Sequence, residues 1–174
     1  MPGFFDFIFY DQTADWNECF RVPLSINLYT ESVNNVAIGD SYEKLRNFGR
    51  PNNRKPFKKN HFIYYPLGME ISGTDGKIHS FDFIFRSSEE MLELNEDESK
   101  YVSCELSIIN KNGGHLSVNK NTSRADVERF FGTPTEKDDE DEDYLSLIYQ
   151  YGKLCLDFEF GEGKLFERLH FGLW

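Results

Sequence analysis

The sequence predicts an α+β fold made of two tandem repeats, each a short helix packed on an antiparallel sheet. Three observations lead to this prediction. Short amphipathic stretches end at Gly-x-Pro, once at residues 49–51 and again at residues 132–134. Aromatic and polar residues alternate in runs such as residues 81–85, which is typical of half-buried strands. The order strand, helix, Gly-x-Pro, loop and three strands then occurs twice along the chain.

The first repeat contains one helix and several strands. Alternating or apolar runs predict strands at residues 4–9 (or a packed N-terminal segment), 24–29, 61–65, 68–72 and 77–85. Residues 32–35 are expected to form a turn and residues 52–60 a basic loop. The Asp-Gly pair within residues 73–76 predicts a hairpin turn between the last two strands.

An acidic stretch separates the two repeats. Residues 86–100 interrupt the strand pattern and carry six carboxylates, so we expect a linker there. The predicted domains are residues 1–92, a helix-plus-sheet repeat with an N-terminal extension, and residues 93–174, the second repeat. Strands of the second repeat are predicted at residues 102–109, 116–118, 144–151, 154–160 and 165–171.

Capping signals predict where the two helices begin. Asp40 and Glu43 have the spacing of a capping box, in which each side chain bonds to the other residue's backbone. Ser123 is the expected N-cap of the second helix, with Asp126 in its first turn. Each helix then ends at a glycine that can adopt a left-handed conformation, with a proline two residues later.

These repeats resemble the beta-lactamase-inhibitory-protein-like architecture, which includes that tandem-repeat inhibitor and the SmpA/OmlA outer-membrane assembly lipoproteins. The resemblance rests on residues 40–51 and 123–134 and spans about residues 24–85 and 106–171. Four glycines support it, namely Gly68, Gly76, Gly152 and Gly163. It implies a protein-binding scaffold, often an inhibitor, that uses a curved sheet face. The first strand before each helix is long for the family and no lipid-attachment cysteine lies near the start, which argues against outer-membrane assembly.

Composition restricts the classes of partner. The formal charge of −11 disfavours binding to phosphate backbones and to anionic membrane surfaces. It suits a protein partner with a basic surface, bound by a monomer or weak dimer. Three widely spaced cysteines without a C-x-x-C motif, and no secretory signal or membrane span, predict a reducing, cytoplasmic environment.

No motif predicts catalysis, a metal site or a cofactor. The four histidines have no metal-ligand spacing, and we expect them at the surface or at strand edges. Cys104 and Cys155 lie among apolar strand residues, which favours small buried side chains over a nucleophile. Nucleotide-binding and hydrolase motifs are absent from the sequence.

Two loops of opposite charge are the candidate contact residues. The loop after the first Gly-x-Pro is basic and the equivalent loop of the second repeat is acidic. The residues are Arg54, Lys55, Lys58 and Lys59 in the first, and Glu136, Asp138, Asp139, Glu140, Asp141, Glu142 and Asp143 in the second. Both loops are solvated segments, or the acidic one docks a basic partner, or the two attract each other within or between chains. We expect partner contact there and on the exposed sheet faces.

The predicted function is a non-catalytic protein-binding module. Small size, acidity and the resemblance favour a bacterial cytoplasmic inhibitor or immunity protein that neutralises a toxin or effector enzyme. A secretion chaperone or assembly adaptor is one alternative. An enzyme whose site is assembled in space, without a sequence motif, is another.

Overall fold

The computed structural model describes residues 11–86, 100–139, 141 and 143–174. It confirms an α+β fold that is mostly sheet with few helices. The predicted strand at residues 4–9 and the predicted boundary between residues 92 and 93 lie outside the described residues.

The described strands and helices have the following bounds. The strands are β1 (Leu24–Asn27), β2 (Ser32–Val33), β3 (Val36–Ala37), β4 (His61–Tyr64), β5 (Met69–Thr74), β6 (Lys77–Ile84), β7 (Leu106–Ile109), β8 (His115–Val118), β9 (Glu136–Asp138), β10 (Leu145–Tyr151), β11 (Leu154–Phe160) and β12 (Phe166–Leu173). The α-helices are α1 (Pro56–Lys59) and α2 (Arg124–Phe131). Three 3₁₀ helices span Tyr42–Phe48, Tyr65–Leu67 and Glu162–Lys164.

The strands form two sheets, and both sheets contain strands from each half of the chain. The five-stranded sheet has the order β3-β2-β1-β7-β8, and the seven-stranded sheet has the order β4-β5-β6-β12-β11-β10-β9. In the first, β1 and β7 pair in parallel, with Leu24 opposite Leu106. In the second, β6 and β12 pair antiparallel, with Asp82 opposite His170. The halves are therefore related differently in the two sheets.

One hydrophobic core joins the sheets and helices. The inner face of the seven-stranded sheet contributes side chains such as Phe62, Phe81 and Phe158, which are fully buried. The 3₁₀ helix Tyr42–Phe48 covers the β4 side of this face, and α2 covers the β10 side, where the Phe131 ring lies 5.5 Å from that of Phe158. Each fully buried aromatic side chain stabilises the fold by about 1.5–3 kcal/mol through its removal from water.

The first predicted capping box is wrong and the second is confirmed. The Asp40 carboxylate accepts a hydrogen bond from the backbone N–H of Ala37 at 2.9 Å, so it is not available to cap the next turn. The helix begins one residue later than that box requires, after Ser41, and is 3₁₀. At α2, the Ser123 hydroxyl accepts from the Asp126 N–H and the Asp126 carboxylate accepts from the Ser123 N–H, at 3.2 and 3.1 Å.

Most predicted strands are present within a few residues of their expected bounds, and the Asp75-Gly76 hairpin turn is confirmed with φ of 52° and 77°. Three short elements replace predicted loops or turns. Residues 32–37 form the hairpin β2–β3, whose turn at Asn34-Asn35 also has positive φ. The basic loop contains α1, and the acidic loop contains β9. These elements are too short to show a period in the sequence.

Candidate functional site

The basic segment is exposed and anchored at its centre. Its four cations, Arg54, Lys55, Lys58 and Lys59, are all exposed. Phe57 lies between them and packs edge-on against the rings of Tyr42 and Phe62, with centroid separations of 5.7 and 5.3 Å. The segment is therefore held to the core at one aromatic side chain while its cations face solvent.

The acidic segment begins with an edge strand. Glu136 and Asp138 lie on β9, which pairs with β10 at the margin of the seven-stranded sheet. Asp139, Asp141 and Asp143 follow. All five of these carboxylates are exposed, whereas Glu140 and Glu142 lie outside the described residues. Lys137 forms an ion pair with Asp139, and its hydrogen bond lowers the pKa of that carboxyl.

The two charged segments lie at opposite edges of the sheet. The basic segment leads into β4 and the acidic segment carries β9, the first and last strands in the order. Six strand spacings correspond to roughly 29 Å. This separation excludes close charge pairing between the segments of one chain, so their attraction remains a hypothesis only between chains.

Between these edges, the outer face of the seven-stranded sheet presents a row of ionisable side chains. Alternation turns Phe81 and Phe83 inward and places Asp82 on the opposite face. The strand register then aligns Glu70, Asp82, His170 and Asp157 directly across four neighbouring strands. A second row follows one step along, and its members are Arg168, Glu159, Ser146 and Asp138. We call these two rows the outer acidic face.

One end of the outer acidic face has well-satisfied charges. The Glu70 carboxylate is 2.6 Å from Nε2 of His61 and accepts a hydrogen bond from the Tyr101 hydroxyl. Burial raises the pKa of Glu70, but these hydrogen bonds outweigh it and the net direction is downward. The same contact with Glu70 raises the pKa of His61. This end therefore holds a stable ion pair.

The other end holds carboxylates in an unfavourable environment. Burial is the main cause of the raised pKa of Asp157, and it outweighs the hydrogen bond that the Ser146 hydroxyl donates. Burial and repulsion from Asp157 also raise the pKa of Glu159, despite the attraction of Arg168. Partly buried carboxylates with raised pKa values are enriched at binding and catalytic sites.

The histidines differ in part from the sequence prediction. His115 is exposed on an edge strand, and His61 lies on the edge strand β4. His170 lies instead in the middle of the sheet, where its Nδ1 is 2.7 Å from Oδ1 of Asp82. Their sequence separation hid this pair, because cross-strand neighbours carry no fixed spacing along the chain.

The surface clefts are less promising than the outer acidic face. A cleft of about 510 Å³ lies between β8 and α2. Its ionisable residues, Asp126 and Arg129, form an ion pair with each other at 3.2 Å. Within the described part of the chain, no cluster of His, Cys, Asp and Glu side chains has the geometry to hold a metal ion. None of the described helices is both long and apolar enough to cross a membrane.

Comparisons with known proteins add no family. No protein-family model, curated protein or solved structure matches this chain. The interpretation of the outer acidic face therefore depends on its own geometry and charge.

Proposed function

We propose that this chain is a non-catalytic protein-binding module whose outer acidic face and acidic segment bind a basic surface on a partner. We further propose that it is a cytoplasmic inhibitor or immunity protein that neutralises a toxin or effector enzyme. The observation that carries the proposal is the pair of half-buried carboxylates, Asp157 and Glu159, whose pKa values burial raises.

A cationic partner would relieve the unfavourable environment of these carboxylates. Burying an ionised carboxylate is costly unless a cation or hydrogen-bond donors compensate it. An arginine or lysine from a partner would supply that compensation and would be held by a charge-assisted hydrogen bond. The acidic segment, continuous with this face through Asp138 on β9, would extend the attraction to the sheet margin.

The scaffold itself is part of the proposal. Both helix stops have glycines with similar φ, 85° at Gly49 and 83° at Gly132, and each precedes an antiparallel strand triplet. The triplets meet at the β6–β12 pair. This arrangement supports a tandem origin and the resemblance to inhibitory-protein repeats, and it makes the joined sheet faces the natural contact surface.

The test begins with identification of the partner and continues with charge variants. The tagged full chain is used to capture partners, and the product of the neighbouring coding gene is co-expressed as a directed candidate. Association rates of the purified pair are then measured at several salt concentrations. We expect Asp157→Asn combined with Glu159→Gln to slow association by about tenfold at low salt, with a smaller effect at high salt.

A matched control removes two carboxylates elsewhere. Glu43 and Asp75 are exposed and lie on the 3₁₀ helix and in a hairpin turn, away from the outer acidic face. Glu43→Gln combined with Asp75→Asn changes the net charge equally and should slow association much less. Equal slowing by both pairs would reduce the effect to net charge and contradict the assigned face. A salt-independent rate would contradict electrostatic docking altogether.

Stability measurements separate binding from folding. A carboxyl with a raised folded-state pKa loses stability as the pH rises through that pKa, so the ionised form is unfavourable at pH 7. The Asp157→Asn and Glu159→Gln variant should therefore be at least as stable as the native chain while binding more slowly. Such a combination is expected of a binding surface and not of a structural one.

A further inference from the structure

Cys155 lies on the outer acidic face and not in the hydrophobic core. It is only 3% exposed, yet it is not part of the core cluster, which contains its neighbours Leu154 and Leu156. The strand register places it directly opposite Gly172 on β12. The sequence prediction of a small buried side chain is confirmed, but the thiol lies on the face that carries the ionisable rows.

The imidazole of His170 lies between this thiol and a carboxylate. Its Nδ1 is 2.7 Å from Oδ1 of Asp82, and its side chain also forms a hydrogen bond with Cys155. Because a carboxylate only accepts, Nδ1 must donate to Asp82, which leaves Nε2 for the sulfur. Cysteine, histidine and aspartate are thus linked in the order of a thiol–imidazole–carboxylate triad.

Gly172 makes this arrangement possible. A Cβ atom at position 172 would lie 2.7 Å from Nε2 of His170, closer than van der Waals contact permits. The ring therefore crosses over the glycine on its way from Asp82 to Cys155. A glycine within a strand weakens the strand unless a close approach requires it, and here the imidazole makes that approach.

We propose that Cys155, His170 and Asp82 form a reactive thiol site that exchanges with small cationic disulfides. Asp82 orients the ring and favours its protonated form. A Cys155 thiolate then accepts a hydrogen bond from Nε2–H. The ionisable neighbours are Asp82 on β6, Asp157 and Glu159 on β11, and Arg168 on β12. Three carboxylates and one cation besides His170 surround the thiol, so a dicationic disulfide is attracted and an anionic one is repelled.

The exchange is balanced without any further oxidant. The Cys155 thiolate attacks one sulfur of the disulfide and forms a new S–S bond, while the original S–S bond breaks. The leaving thiolate takes the proton from Nε2 of His170, so that one thiol and one disulfide enter and one of each leaves. The residues form a linear chain of contacts and do not converge on a point, which agrees with the lack of a metal-holding group in the described chain.

The test compares the three cysteines of the native chain. Cys19 is half-buried and is the most exposed of the three, whereas Cys104 lies in the core. Burial raises the pKa of Cys19 to about 11 and that of Cys104 to about 12. The folded chain is treated with cystamine at pH 6.5, and modified peptides are quantified by mass spectrometry. Exposure alone predicts that Cys19 reacts first, whereas the proposed site predicts Cys155.

Variants and a second reagent complete the experiment. An ordinary thiol is only about 1% thiolate at pH 6.5. After allowance for lower intrinsic nucleophilicity, His170→Gln should slow modification of Cys155 by about tenfold at this pH and by less at pH 9. His115→Gln, an exposed histidine of the other sheet, is the matched control and should have no effect. Oxidised glutathione, which is anionic, should react more slowly than cystamine.

Three results would overturn the proposal. These are faster modification of Cys19 than of Cys155, an unchanged pH profile in His170→Gln, or equal rates with the two disulfides. If His170→Gln does not fold, the competition between cysteines and the comparison of reagents still decide the matter in the native chain. The inference is independent of the proposed binding function, since none of these measurements needs a protein partner.

Discussion

Replacing Asp82 with asparagine should reveal a pH-dependent contribution to stability. Burial lowers the pKa of His170, but its hydrogen bonds with Asp82 and Cys155 outweigh this and raise the pKa from 6.5 to about 10. A base whose folded-state pKa is raised contributes its full stability below the unfolded-state value. That contribution is lost as the pH rises from about 6.5 towards 10.

The size of the effect can be bounded from the structure. The interval from 6.5 to about 10 corresponds to at most roughly 5 kcal/mol. The side chains of His170 and Asp82 are 29% and 39% exposed, so solvent screens part of their attraction. Hydrogen bonds to charged groups contribute about 1.5–3 kcal/mol, and we expect the loss in Asp82→Asn at pH 6 to lie in this range.

Urea denaturation of both chains at pH 6.0 and pH 9.5 measures the effect. The difference in unfolding free energy between native and Asp82→Asn proteins should shrink by at least about 1 kcal/mol at the higher pH. Asp75→Asn is the control, because this exposed turn residue has φ of 52° and asparagine tolerates that conformation. A difference that is the same at both pH values would refute the assigned ion pair.

Three further predictions concern packing and capping, each measured by thermal or urea denaturation. Gly172→Ala should destabilise the fold by about 1–3 kcal/mol because its Cβ would collide with the His170 ring, and an unchanged midpoint would contradict this contact. Phe158→Ala should cost about 3–5 kcal/mol, and Phe131→Ala less, because Phe158 is fully buried and Phe131 only partly; the reverse order would contradict the packing of α2. Ser123→Ala should cost about 1 kcal/mol through loss of the N-cap, whereas Ser123→Asp should retain most of the stability.

Local sequence signals predicted local structure well. The capping box of α2 and the Asp75-Gly76 hairpin need only neighbouring residues, and both are present. The same reasoning was wrong at Asp40, whose carboxylate bonds to the preceding Ala37 N–H. Side-chain competition of this kind depends on the path of the chain before the helix, which a capping motif does not describe.

The candidate contact surface was predicted only in part. The charged segments were evident from composition, and the structure confirms that their described charged residues other than the half-buried Lys137 are exposed. Their placement at opposite edges of one sheet was not predictable, because it depends on the pairing of β6 with β12. The same pairing aligns Glu70 and Asp157 with the residues between them into one row.

Sequence alone determined the fold class, the strand-rich pattern and the overall acidity, since alternation, turn residues and charge are local or summed properties. Only the tertiary structure decided which polar residues became neighbours. Asp82 and His170 are 88 residues apart, and Cys155 joins them from a third strand. Cross-strand contacts of this kind arise from strand order and register, and neither is written in the spacing of residues along the chain.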